Sequence, residues 1–342
     1  MKKRDMLRTL SIAFVFMLVS LSVPVNAFTD GNEVNAQNVC SNSSQPLVGS
    51  RTLTHLAFVV NDIEQAAEDF ARLFGVEKPP WLNMSDMVTN SQYRGQPVGF
   101  NHKVAFINTP SMQIELVEPD SKDQSTFREF LRKNGEGIHH TGLIIDNMQE
   151  KTQIMKNNGF NVVQTGDITG NGGHFAFFDT KKAYKTMTEL IQMNIVPPFP
   201  PNQPGDPPLL GTDKIARVGI VVKNLNTAKQ AYCKLLGMKN AAIVQEEGAK
   251  KAIFQIPAAD GSPAFELELI QPTSSSMWNQ FLARKGENIH HLSFKVDHFN
   301  QTLQLLKNKG YRVIQQGKIK NKKYAYVDTT STYKVVIKLV EK

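Results

Sequence analysis

The chain reads as an α+β protein of two tandem domains, built from four copies of one βαβββ unit. Three observations carry this reading. One pattern begins four times: THLAFVVNDIEQAAEDFARLFGVE at Thr54, HHTGLIIDNMQEKTQIMKNNGFNV at His139, ARVGIVVKNLNTAKQAYCKLLGMKN at Ala216 and HHLSFKVDHFNQTLQLLKNKGYRV at His290. Each copy passes from an apolar strand through a polar turn into an amphipathic helix that ends near glycine, where a left-handed cap is wanted. Between copies two and three lies PPFPPNQPGDPPLLGT, residues 197–212, too rich in proline for regular structure.

Taken in order, residues 1–27 read as a secretory signal peptide: a basic start, an apolar run and the small-x-small end Val25-Asn26-Ala27. Residues 28–50 are polar and aperiodic and read as a flexible leader. The first domain is expected at 51–196, the proline-rich linker at 197–212 and the second domain at 213–342. After each helix the chain alternates and breaks at Gly, Pro or Asn, as in VAFINTPSMQIELVEP and FAFFDTKKAYKTMTELIQ, which supplies the remaining strands.

With 342 residues, 41% hydrophobic and 20% charged, the chain can bury two ordinary cores. The formal charge of +8 falls to +5 when the signal takes away Lys2, Lys3, Arg4, Arg8 and Asp5. No basic cluster stands on an aromatic background, so nucleic acid is not an expected partner. Cys40 and Cys233 can pair in an oxidising compartment, but two cysteines make neither a disulfide framework nor a cysteine metal site. Cys40 also lies too far past the apolar run for a lipoprotein. The expected location is exported, periplasmic or secreted.

Strand side chains alternate between faces, which puts His55, Ala57 and Val59 on one face and Leu56, Phe58 and Val60 on the other. The bulky face is expected to take the helix. In the second copy His140, Gly142 and Ile144 stand opposite Thr141, Leu143 and Ile145, so each histidine again has a small neighbour on the open face. Of the doubled histidines, His140 aligns with His55; His139 aligns with Thr54 and reads as structural. The last strand of each unit carries a carboxylate among apolar residues, Glu115 and Glu189, placed 60 and 49 residues after the histidines. A carboxylate so placed is costly to bury unless it is paired or binds a metal. Packed pseudo-symmetrically, the two units would bring together two imidazoles and two carboxylates, donors that suit one divalent ion such as Ni, Co, Zn, Mn or Fe.

With these motifs the chain resembles the vicinal oxygen chelate superfamily, and within it glyoxalase I and methylmalonyl-CoA epimerase. The resemblance spans both domains and is most specific in THLAFVV, QIELVEP, GEGIHHTGL and GNGGHFAFFDT followed by TEL. It implies metal ligands at His55, Glu115, His140 and Glu189. The implied activity is that of a lyase or isomerase, in which the metal chelates neighbouring oxygens of a small molecule or thioester and a glutamate, Glu189 ahead of Glu115, takes the adjacent proton. The aligned set in the second domain is Arg217, Glu268, His291 and Lys338. Its two cations cannot donate a lone pair to a metal, so this site reads as degenerate, with both cations paired to Glu268.

Trp81, Tyr93 and Arg94, in an insert running to Phe100, and Gly172 and Gly173, in the GNGG loop, are candidate substrate contacts. Two features depart from the family pattern. Ala105 stands where epimerases carry a second carboxylate, and the family's thioester and glutathione substrates belong mainly to the cytoplasm, whereas the signal directs this chain outward. Two other classes share the plan: a two-domain extradiol-type iron dioxygenase, against which Glu115 and the placing of the intact set in the first domain argue, and a non-catalytic small-molecule binder. The expected partner is a small-molecule substrate, without stable membrane association after signal removal, for a monomer or homodimer.

Overall fold

The computed structural model describes residues 45–170, 172–193, 202–258, 260–274 and 276–342. The expected signal peptide, most of the leader and residues 197–201 of the linker lie outside the described residues.

The apolar run at His55 forms β1 (His55–Val59) and leads into α1 (Ile63–Phe74). Asp62 caps this helix by accepting the Gln65 N–H at 3.0 Å, and Gly75 closes it in the left-handed conformation. Then come β2 (Leu82–Asn83), a 3-10 turn at Met84–Asp86, β3 (Val88–Tyr93), β4 (Gln96–Pro97), β5 (His102–Asn108) and β6 (Gln113–Pro119). Helix α2 (Thr126–Asn134) crosses to the second unit, formed by β7 (Gly137–Ile144), α3 (Met148–Asn157), β8 (Val162–Ile168), β9 (Gly173–Phe178), α4 (Lys181–Tyr184) and β10 (Met187–Gln192). The second domain repeats the plan with β11 (Arg217–Val221), α5 (Leu225–Leu236), β12 (Ala242–Glu246), β13 (Ala249–Pro257) and β14 (Pro263–Pro272). It continues through α6 (Met277–Lys285), β15 (Asn288–Val296), α7 (Phe299–Asn308), β16 (Arg312–Ile319), β17 (Lys322–Asp328), α8 (Thr330–Tyr333) and β18 (Val336–Glu341).

Each domain is one sheet in which two units meet. The first runs β2-β5-β6-β1-β7-β10-β9-β8-β3-β4 and the second β12-β13-β14-β11-β15-β18-β17-β16. In both, the leading strands of the two units pair antiparallel and each pairs parallel with its own unit's last strand. Alternation then sorts the side chains. Leu56, Phe58 and Val60 join the helices in a core that is continuous through both domains, whereas Val59, Val117, Phe127 and Phe177 form a separate apolar lining on the other face of the first sheet.

The insert is built into the first sheet at both of its edges. Its first strand, β2, pairs with β5 at one edge of the sheet, and only four residues after β2 ends β3 begins its pairing with β8 at the far edge. Four connecting residues reach no more than about 18 Å, so the first sheet is curled until its edges nearly meet, with the insert strapped across the opening. The second sheet has no such closure: β12 pairs with β13 alone.

The domains pack as pseudo-symmetric partners. Phe70 of α1 meets Tyr333 of α8 at 5.7 Å, and Tyr232 of α5 meets Tyr184 of α4 at 5.6 Å, with the Tyr232 hydroxyl donating to the Tyr184 carbonyl at 2.7 Å. Two equivalent ion pairs flank them, Lys334 with Glu136 at 2.9 Å and Lys185 with Glu287 at 3.1 Å. The same two glutamates accept the N–H groups of Asn61 and Lys223, each at 2.9 Å.

Residues 45–50 depart from the expected flexible leader. Val48 is fully buried and the Leu47 N–H donates to carbonyls at the end of α5, because these two apolar residues find a place on the second domain's helix. The described part of the linker is likewise held: Pro208 packs where a Cβ at Gly75 would stand, and Leu210 is buried in the shared core. Cys233, buried in α5, is disulfide-bonded; Cys40 lies outside the described residues.

Candidate metal centre

The strand register brings the four expected residues to one point. His55 pairs with Gly142 and Ala57 with His140 across the β1/β7 ladder, so each imidazole stands over the small residue of the facing strand. Glu115 lies beside Ala57 on β6 and Glu189 beside Gly142 on β10, the same offset in both units. The two Nε2 atoms face each other at 3.0 Å. Glu189 Oε2 is 2.9 Å from His55 Nε2 and 3.2 Å from His140 Nε2, and Glu115 Oε2 is 3.6 and 3.3 Å from the same atoms. Donors that share one ion at about 2.0–2.2 Å must stand about 3–3.6 Å apart, so the spacing fits a single divalent ion.

Electrostatics agree. Burial opposes charge on His140, yet its hydrogen bonds to Glu115 and Glu189 push the imidazole up to about 9. Burial likewise pushes the Glu189 carboxyl up, but the two histidines hold it down at about 2. Among the described residues no lysine or arginine nitrogen comes within 4.0 Å of either glutamate. These four groups demand a positive charge between them, and a divalent ion would cancel two carboxylates while leaving both imidazoles neutral.

Both rings are held from behind by the residue that precedes them. Thr54 Oγ1 lies 3.4 Å from His55 Nδ1 while its hydroxyl donates to the Gly142 carbonyl at 3.1 Å. His139 Nδ1 lies 3.0 Å from His140 Nδ1, and His139 Nε2 lies 3.1 Å from Thr126 Oγ1, whose hydroxyl reaches Met187 Sδ at 3.1 Å. The chain is satisfied when His140 Nδ1–H donates to His139, His139 Nε2–H donates to Thr126, and the His140 Nε2 lone pair faces the centre. His139, structural by alignment, therefore sets the tautomer of its neighbour. Thr126 could have been suspected from sequence only through its place at the start of a helix.

Trp81, Tyr93 and Arg94, the candidate substrate contacts of the insert, bond to residues outside the four-residue cluster. Tyr93 and Arg94 are both tied to Glu129 of α2, the arginine at 2.7 Å. Trp81 is 37% exposed and its indole N–H donates to Glu64 at 2.6 Å. Gly172 and Gly173 belong to the β8/β9 hairpin. Gly173 stands four residues from Phe177, the partner of Glu189, or about 13 Å along the strand.

Arg217, Glu268, His291 and Lys338 occupy the equivalent register in the second sheet. Arg217 pairs with Glu268 at 2.8 Å as expected, but Lys338 does not. It pairs with Glu247, 2.9 Å away, a residue of the β12/β13 turn that sequence reasoning missed. Also missed was Lys251, fully buried at the position that Val104 holds in the first domain. Its ammonium lies 3.4 Å from Glu246, 3.3 Å from Glu268 and against Glu247. Glu246, Glu247 and Glu268 could by spacing hold a metal, but the tethered ammonium already stands among them, and these residues do not fit a resident ion.

The family model for the Glyoxalase/Bleomycin resistance protein/Dioxygenase superfamily matches residues 54–178 and 216–326. The chain belongs to this superfamily. Its two matched regions coincide with the two sheets, so the superfamily domain occurs twice. Over 136 residues the chain is 29% identical to the uncharacterized protein YqjC of Bacillus subtilis (strain 168), covering 38% of this chain and 92% of that protein. Among solved structures, a mutant of 4-hydroxymandelate synthase from Streptomyces coelicolor superposes over 85% of this chain and 92% of its own, with a TM-score of 0.51 and 10% identity, a likeness of fold. Methylmalonyl-CoA epimerase from Mycobacterium tuberculosis is 25% identical over 38% of this chain and 87% of its own, with a TM-score of 0.32.

Proposed function

We propose that the protein is an exported, divalent-metal-dependent lyase or isomerase that moves a proton on the carbon beside a carbonyl of a small molecule or thioester. The observation that carries this reading is the convergence of His55, Glu115, His140 and Glu189, with both imidazoles turned and fixed from behind. An ion bound there would supply Lewis-acid stabilisation of developing oxyanion charge. His55 and His140 would turn their Nε2 lone pairs to such an ion, giving up the proton that the two carboxylates hold on His140. Glu189, buried beside both imidazoles, is the stronger candidate to take the proton on a carboxylate oxygen once an ion engages the histidine lone pairs and their hold on the carboxylate is released. Phe127 and Phe177, packed 6.0 and 4.9 Å from the His140 ring, keep water from that side. The disulfide at Cys233 supports export, because such bonds persist in oxidising compartments.

The test pairs metal analysis of the mature protein with deuterium exchange into 2-hydroxycarbonyl compounds and acyl thioesters. About one transition metal per chain, lost with His140→Ala and Glu189→Ala, together with metal-dependent exchange is the expected result. Metal without exchange on any of these compounds would favour a binding protein, and ring cleavage of catechols with Fe(II) would favour a dioxygenase.

A further inference from the structure

A groove of about 640 Å³ lies between the two domains, away from the metal centre. Its walls are the C-terminal turns of α2 and α6. Its floor is apolar, with Phe130 of α2 and its repeat equivalent Phe281 of α6 on either side and Ile138, Ile289 and Val336 between strand ends.

The rim is basic. Lys133, Arg284, Lys285, Arg312 and Lys334 line the groove against two carboxylates, Glu136 and Asp328. Both carboxylates are spoken for, Glu136 by Lys334 at 2.9 Å and Asp328 by Arg312 at 3.3 Å, and Lys133 turns away to Glu129. Arg284 and Lys285 are left without a carboxylate within 4.0 Å among the described residues. Lys285 reaches across the groove to the Asn134 carbonyl at 3.4 Å. The C-termini of α2 and α6 contribute roughly half a negative charge each, which offsets only about one of these two cations. An apolar floor beneath an uncompensated positive rim is complementary to a molecule with an apolar body and one anionic head.

We propose that this groove binds a small amphiphilic anion, an acyl or aryl body carrying a carboxylate, sulfonate or phosphate. The body lies between Phe130 and Phe281 and the head is held by Arg284 and Lys285. The site is separate from the metal centre and gives the second domain, whose own ligand set is closed by internal cations, a binding role of its own.

The experiment is a fluorescence titration of the full chain with 8-anilinonaphthalene-1-sulfonate, followed by displacement with decanoate. Saturable binding near one probe per chain, displaced by decanoate, is expected. Arg284→Glu with Lys285→Glu should weaken it at least tenfold with an unchanged thermal melt, while Lys309→Glu, an exposed charge change elsewhere, leaves it as it was. A His140→Ala, Glu189→Ala chain should bind as wild type, which separates this groove from the metal centre. Absence of saturable binding, equal binding by the Arg284/Lys285 variant, or loss of binding in the His140/Glu189 variant would overturn the proposal. So would cosedimentation with phosphatidylglycerol vesicles in the absence of any binding of free amphiphile, which would mark the basic rim as a membrane contact.

Discussion

Gly142 holds open the space that the His55 imidazole fills: a Cβ on Gly142 would stand 1.8 Å from His55 Cε1. Gly219 does the same for His291 in the second domain, where the distance would be 2.0 Å. The glycine sits on opposite strands of the two ladders, so each domain kept the clearance for a different histidine. Gly142→Ala is expected to push His55 off the centre and weaken metal binding by about 10–100-fold or more, read by metal content and calorimetric titration. Gly219→Ala should lower the melting temperature and leave the metal content at one per chain. Equal metal loss in both variants would sink the assignment of a single site.

Glu189→Gln keeps the shape of the side chain and removes its capacity to hold a proton. Proton exchange should fall by about 10²–10⁴-fold, with metal still bound, and Glu115→Gln should fall less. Full turnover in Glu189→Gln would move the proton-transfer role elsewhere.

Lys251 carries a buried charge that three carboxylates surround. Lys251→Met removes the cation and leaves Glu247 and Glu268 short of compensation, which is expected to cost about 3–5 kcal/mol in urea unfolding. A loss below about 1 kcal/mol would show that Lys338 and Arg217 suffice to neutralise the pair.

Acid should weaken the fold through histidines outside the metal set. Burial holds His102 and His290 at about 3, well below the usual histidine value of 6.5. Between pH 6.5 and 3 the unfolded chain binds protons at these positions and the folded chain does not. Stability therefore falls as pH falls through this window, by about 1.4 kcal/mol per pH unit for each histidine. Denaturant midpoints at pH 7.5, 6 and 5 check this, and His290→Gln should flatten the slope. A midpoint independent of pH over that range would contradict the burial of both rings.

The four clustered residues could be read from the sequence because they obey a local rule twice. Alternation assigns His55 and His140 to the open face, and duplication supplies Glu115 and Glu189 at matching places. What escaped depends on contacts with no such rule. Lys251 looks like any lysine on an alternating strand, and Glu247 like any turn residue; it adopts a left-handed φ of 54° that only the finished hairpin requires. The destination of β3 is a pairing with β8, some seventy residues onward, which periodicity cannot announce. On the aligned strands Lys338 has only Glu268 as a visible carboxylate, whereas its partner, Glu247, comes from outside them.

The strap across the first sheet also decides how that domain meets other chains. Its outermost strands, β2 and β4, have two residues each, too short to template a further strand. The second sheet instead ends at β16, eight residues long, so strand addition between molecules has its best starting point there. A register shift between Val313 and Gln315 and the charges of Arg312 and Lys318 guard that margin. When this protein is concentrated or partly opened, self-association should begin at the second domain and leave the first, with its His/Glu cluster, intact.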